Sequence, residues 1–185
     1  MSELAVGSLA GLAANSYEVS IASGSTLDLT NATGLPSGSL PAGSVLQVVQ
    51  ERKVDQFSTS SSSYVDVTAW AASITPTSTS SKILILVTGS AGSSLAQIAV
   101  VSEFQLLRNA TAIGNSADNK FYGFAHDANR YSWPIAGDFL DSPATTSEVT
   151  YQVQVRATGG TTYVNSDGAG RHTNTSSITL MEVAG

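Results

Sequence analysis

The chain predicts an all-β protein, a sandwich or a barrel, on three observations. Charged residues make up only 12% of its 185 residues, about half the usual share of a globular domain. Ser, Thr, Gly and Ala fill the deficit, which suits strands and tight turns and leaves few i,i+4 ion pairs to support a helix. Short segments alternate apolar and polar residues, and turn-forming residues separate them at short intervals. Disorder is the competing reading of so much Ser and Gly. An apolar content of 42% and a net charge of only −6 rule against it, because such a chain can bury a core.

The first 43 residues form their own class. Gly and Pro punctuate them every few positions, and strand hints are brief, at Tyr17-Val19-Ile21 and Leu27-Leu29. Seven leucines (Leu4, Leu9, Leu12, Leu27, Leu29, Leu35 and Leu40) are spaced along this stretch. They are too sparse to make a core alone, and they read as anchors of an extended arm, residues 1–43, that becomes ordered against a neighbouring subunit. Residues 44–185 read as the β-sandwich domain.

Within it, "SVLQVVQ" (Ser44 to Gln50) is a strand candidate. "YVDVTAW" alternates Val65, Val67 and Ala69 against Tyr64, Asp66, Thr68 and Trp70, the period of a half-buried strand. "KILILVT" carries apolar residues on both faces and is too short for a helix, so it predicts a fully buried central strand. The "TPTSTSS" between them is a turn whose side chains hydrogen-bond their own backbone. "SSLAQIAVVSEF" is the one stretch that could hold a helical turn. "EFQLLRN" is another strand, followed by a turn and "TAIGN". "KFYGFAH" alternates Phe121, Gly123 and Ala125 against Tyr122 and Phe124. "RYSWPIAGDF", with Trp133 before Pro134, reads as a strand connection. "EVTYQVQVRA" points Val149, Tyr151, Val153 and Val155 inward, and Gly159-Gly160 after it signals a hairpin turn. "SSITLMEVA" closes the chain as a last strand.

Several function classes are excluded or disfavoured. Eight Lys and Arg, scattered singly, give no basic face for nucleic acid. Without cysteine there are no disulfides, Cys-based zinc sites or thiol catalysis. No apolar run approaches the ~18 residues of a membrane span. The opening "MSELAVGSLAGLAANS" carries Glu3 and lacks a basic region, so it does not read as a signal peptide. The sequons at Asn31, Asn109 and Asn174 accordingly carry no meaning.

Catalytic readings find little. His126 beside Asp127 could mimic an oriented base, but no G-x-S-x-G elbow accompanies it, and both His126 and His172 read as solvated loop residues. Neither has the spacing of a metal ligand set. Asp138 and Asp141 could be imagined as a glycosidase pair, though turn residues at a strand end are the commoner case. Asp167-Gly168 is a turn without the ligand spacing of a calcium loop. Glycan binding has candidates in Trp70, Trp133, Tyr131 and Tyr122, against which stands the ordinary use of aromatics in cores and interfaces. No cofactor is expected, and the chain reads as a non-enzyme.

The stretches "PAGSVLQVVQ", "SSSYVDVTAWAASITPTSTSSKILILV", "FQLLRN-T-IG", "LDSPATTSEVTYQVQVRATGGTTYVN" and "SSITLMEVA", in this order, resemble a family of tailed-bacteriophage virion proteins, many from phages of aquatic bacteria including cyanophages. The resemblance covers Gly43 to Gly185. It implies a jelly-roll-like β-sandwich, of the outline seen in tumour necrosis factor and C1q, assembling as a homotrimer on a virion and carrying no active-site residues. Two roles follow from it. One is a capsid decoration or cement protein that binds the major capsid protein and stabilises the head shell, with the Leu arm docking on capsid neighbours. The other is a tail-fibre or tail-tip protein that recognises a host surface glycan, with Tyr131 and Trp133 as recognition aromatics. The absence of a coiled-coil or repeat shaft favours decoration.

Overall fold

A computed structural model describes residues 40–93, 100–114, 120–126, 132–168 and 174–185. They belong to the compact unit Pro36–Gly185. Every regular element among them is a strand: β1 (Val45–Lys53), β2 (Phe57–Thr59), β3 (Val65–Ile74), β4 (Lys82–Ser93), β5 (Val100–Arg108), β6 (Thr111–Ile113), β7 (Lys120–His126), β8 (Ser132–Asp141), β9 (Val149–Thr158), β10 (Thr162–Val164) and β11 (Ser176–Val183).

All pairings are antiparallel and fall into two sheets. In the first, β1 pairs β11, β11 pairs β4, and β8 runs along the other edge of β4 from Ile83 to Gly92. The short β10 and β2 extend this sheet beyond Ala91. In the second, the order is β3-β9-β5-β7, with β6 continuing past β7 along the same edge of β5. Successive long strands mostly cross from one sheet to the other, and the eight of them make the expected jelly roll. Strong period-two patterning is why the fold could be read at all. Val149, Tyr151, Val153 and Val155 all point inward as expected, each 2% exposed or less.

The core lies between the sheets. Ile83, Ile85 and Val87 of β4 and Ile178 and Leu180 of β11 meet Val67, Trp70, Phe104 and the β9 row. Gly89 is held to glycine by this packing, since a Cβ there would sit 2.9 Å from the Trp70 ring.

Five expectations are corrected. The alternation in "YVDVTAW" breaks at Ala69, which takes a left-handed φ of 58° and stays exposed. The register shift between Asp66 and Ala71 turns Trp70 into the core instead of away from it, as a bulge does. The Gln152 amide caps the bulge, donating to the carbonyls of Val67 (3.0 Å) and Trp70 (3.2 Å). Gly159-Gly160 closes no hairpin: β9 belongs to the second sheet and β10 to the first, so the turn carries the chain across the sandwich. "RYSWPIAGDF" is no connection over Ser132–Asp141 but an edge strand, where Pro134 is tolerated because one side of the strand needs no N–H. In β7 a register shift opposite Phe104 brings Phe121 onto the core together with Tyr122 and Phe124. Finally, β4 is central but not buried on both faces: Leu84 and Leu86 remain half-exposed. The stretch expected to allow a helical turn lies outside the described residues at 94–99 and is strand from Val100 onward.

Candidate assembly face

Because side chains alternate across a strand, register decides what each sheet shows to solvent. On the outside of β1-β11-β4-β8, one row runs Val48, Met181, Leu84, Leu140, each paired with the next. The flanking row places Val45 beside Val183 and Lys82. Leu86 follows on the other side, next to Thr179 and Asp138. Val45, Val48 and Leu140 are 54%, 55% and 50% exposed. The face turns polar toward its far end, where Gln50 donates to Thr179 at 2.8 Å and Thr88 pairs with Ser177 at 2.9 Å. One half of this face is therefore an apolar surface across all four strands.

The outside of β3-β9-β5-β7 is built differently. Ser73 bonds Thr150 at 2.7 Å, and the Gln154 amide donates to Asp66 at 2.7 Å. Gln105 donates to Gln154 at 2.5 Å. Glu103 accepts from Lys120 and Arg156, both at 2.5 Å, and the Arg156 guanidinium lies 4.8 Å from the Tyr64 ring centre. The Lys120 bond, with Arg156 adding to it against the cost of burial, holds the Glu103 carboxyl below its ordinary range.

Buried ionisable groups tie strands and loops together. Glu182 is 0% exposed. It accepts from the Thr77 N–H (2.7 Å), the Thr77 hydroxyl (2.8 Å) and Gln47 (2.6 Å), clamping the β3–β4 loop to β1 and β11. Burial opposes its charge, yet the hydrogen bonds, led by that of Gln47, outweigh it and lower its pKa. Asp141 accepts from Arg108 at 2.9 Å and from the Tyr151 hydroxyl at 2.7 Å. Burial first, then the Asp141 carboxylate, pushes the Tyr151 pKa up. Buried Lys53 pairs with Asp55 at 2.8 Å. Asn165, at φ 59°, donates to the carbonyls of Lys53 and Asp55 and accepts from Ser176. None of these required a motif to find, and none has one.

The residues singled out from sequence fare unequally. Leu40 lines a cavity of about 260 Å³ with Leu46, Thr77 and Ala184, while Leu4, Leu9, Leu12, Leu27, Leu29 and Leu35 lie outside the described residues, as do Tyr131 and His172. Trp133 is 44% exposed at the start of β8. Trp70 cannot be a sugar platform, since it is fully buried and its indole N–H donates to the Ser177 carbonyl at 3.1 Å. Tyr122 packs against Phe104, ring centres 6.5 Å apart. Asp138 and Asp141 sit on opposite faces of β8, one exposed and one buried, so they do not form a carboxylate pair. His126 ends β7, its backbone paired with Val100. Asp167 precedes Gly168, whose φ of 73° makes the expected turn. Among the described residues no three His, Asp or Glu converge as a metal site, and no helix is long and apolar enough to cross a membrane.

No known protein-family profile matches the chain, and no curated protein does. Solved structures similar to it include the infectious bursal disease virus VP2 subviral particle (10% identity, TM-score 0.40, 75% of this chain and 33% of that one). Another is the Gx strain of infectious bursal disease virus (12%, TM-score 0.40, 77% and 43%). A third is the T=1 particle derived from that virus (13%, TM-score 0.34, 75% and 36%). The chain spans between 33% and 43% of the length of these structures, and the likeness concerns the fold alone.

Proposed function

We propose that the chain is a non-enzymatic structural protein of a virion, a homotrimer that decorates the head shell by binding the major capsid protein. The observation that carries this reading is the apolar half of the outer β1-β11-β4-β8 face. A row of Val48, Met181, Leu84 and Leu140 across four strands is costly to leave in water and fits a protein made to be covered by protein. The buried acids support the same reading, since Glu182 ties β11 to Gln47 and Thr77, and Asp141 ties β8 to Arg108 and Tyr151. The sequence resemblance to tailed-phage virion proteins supplies the context, and the leucines of residues 1–43 supply anchors. Each would contribute about 1.5–3 kcal/mol on a preformed capsid surface, enough together to offset the ordering of a flexible arm.

Trp133, 44% exposed, favours a second reading, a tail protein that stacks a host glycan on this ring. The copy number of the protein in purified virions separates the two. Stoichiometry on a par with the major capsid protein means decoration; a small fraction of it means tail. An arm-deleted chain that still coats heads would remove the arm from the account.

A further inference from the structure

We propose that the free edge of β8 receives an extended segment of another protein as an added antiparallel strand, with apolar, basic and apolar residues in alternation. The proposal rests on the virion reading and names the form of its partner, a strand rather than a folded surface. Two observations fix which backbone groups of β8 face outward. On β4, the Ser90 carbonyl accepts from the Asn165 N–H on the β10 side, away from β8. The β8 residue opposite Ser90 is Pro134, which has no N–H to give and turns its nitrogen away from β4. In an antiparallel ladder this direction alternates by residue, so Ala136, Asp138 and Leu140 also point their N–H and C=O groups outward. Among the described residues β8 ladders with β4 alone. A row of backbone donors and acceptors repeating every ~6.8 Å is matched by another extended backbone and by little else.

The same edge borders a gap between the sheets. A cavity of about 280 Å³ is lined there by Leu106, Ile113, Phe121 and Phe139, with Lys120 and Asp138 also in its wall. It has room for side chains and none for a folded element. Directly opposite residues of paired strands share a face. Residues of the added strand opposite Gly137 and Phe139 therefore turn between the sheets, where Val or Ile fits, and the one opposite Asp138 faces water. Lys120 is engaged by Glu103 at 2.5 Å. Asp138 is exposed and in no ion pair among the described residues, in a chain of net −6. A Lys or Arg across from it is the complementary choice. Pro134 and Asp138 also exclude a wrong partner. When two β8 edges pair antiparallel over Ala136 to Leu140, the two Asp138 stand directly opposite each other and Pro134 ends the ladder. A second copy is thereby selected against.

The test is backbone amide exchange of the full chain, read residue by residue by NMR, with the synthetic peptide acetyl-Thr-Val-Lys-Val-Thr-amide as probe. In the free protein the N–H groups of Ala136, Asp138 and Leu140 should exchange ~100-fold faster than those of Gly137 and Phe139, which bond β4. At 1 mM peptide the three should slow at least about twofold, as a dissociation constant of ~1 mM or tighter requires. A peptide N-methylated at its Lys loses the donor that faces β8 and should have no effect. One with Glu in place of Lys should bind about threefold more weakly, and an Asp138→Lys variant should reverse that preference. Exchange unchanged by the peptide overturns the proposal, and so does equal slowing by the N-methylated form or equal binding of the Lys and Glu peptides. Protection of the three N–H groups in the free protein overturns it as well: if it persists on dilution the chain covers its own edge, and if it is lost a second copy does. None of these results alters the copy number in virions, which judges the virion reading separately.

Discussion

The two outer faces of the sandwich solve the same problem in opposite ways. Outside β3-β9-β5, most alternate positions hold Ser, Thr, Gln, Glu and Arg, several of which bond one another across strands. Outside β1-β11-β4-β8, half of the alternate positions hold Val, Leu and Met. Both sheets share one core, so the fold does not require the difference. A stitched polar face is finished in water, and an apolar one is finished only when something covers it. The difference teaches where stability resides and where a partner can add to it: the first face and the core hold the protomer, and the second is the surface left for something to cover.

The core common to both faces gives the largest expected effect. Gly89→Val puts side-chain atoms into the space of Trp70 and Ser176 and should destabilise the protomer by about 3 kcal/mol. Thermal unfolding should shift down by ~6–12 °C. A shift of under a degree would mean that β4 and the Trp70 bulge are not packed as described.

Glu182 comes next. Glu182→Ala leaves the Thr77 N–H and the Gln47 amide without their acceptor, a loss of about 2 kcal/mol. The lowered pKa has a defined sign in pH. Stability from Glu182 is fully present above the ordinary glutamate pKa of about 4.3 and is lost as pH falls through the lower folded-state value. In Glu182→Gln that acid-dependent loss should be absent, which a series of melting curves between neutral pH and pH ~3 would read.

The smallest effects sharpen the contrast itself. Glu103→Gln breaks two partly exposed ion pairs, for about 1 kcal/mol, and should leave the sedimentation coefficient unchanged. Val48→Thr should move stability by less than ~0.5 kcal/mol yet weaken association. If Glu103→Gln dissociates the protein and Val48→Thr does not, the roles of the two faces are reversed.

The sequence carried the sandwich plainly where alternation was uninterrupted, as in β9 and β11. It misled where a bulge shifts parity, as at Ala69 and opposite Phe104, because one inserted residue exchanges the faces of all that follow. Pro134 and Gly159-Gly160 misled for a related reason, since local turn chemistry does not say whether a strand is an edge or which sheet receives the next one. The apolar face was half visible. The run "KILILVT" does show apolar residues on both sides, and burial on both sides was the natural reading. What could not be seen was that β1, β8 and β11 set Val48, Leu140 and Met181 in line with Leu84, because that depends on register between strands far apart in sequence. The Glu182 clamp was invisible for the same reason, its partners Gln47 and Thr77 being more than a hundred residues away.

Met181 offers the most direct test of the central claim, that the apolar face is covered in the working assembly. It is one of two methionines in the chain and sits in the middle of the row, between Val48 and Leu84. Exposed thioethers oxidise to the sulfoxide, and covered ones are spared. With peroxide as reagent and peptide mass spectrometry as readout, Met181 oxidation in the assembled full-length protein should be about tenfold slower than in a Val48→Asp/Leu140→Asp variant. The wild-type rate should also rise as the protein is diluted below its association range. Oxidation of Met181 at one rate in wild type and variant, independent of concentration, would contradict the account.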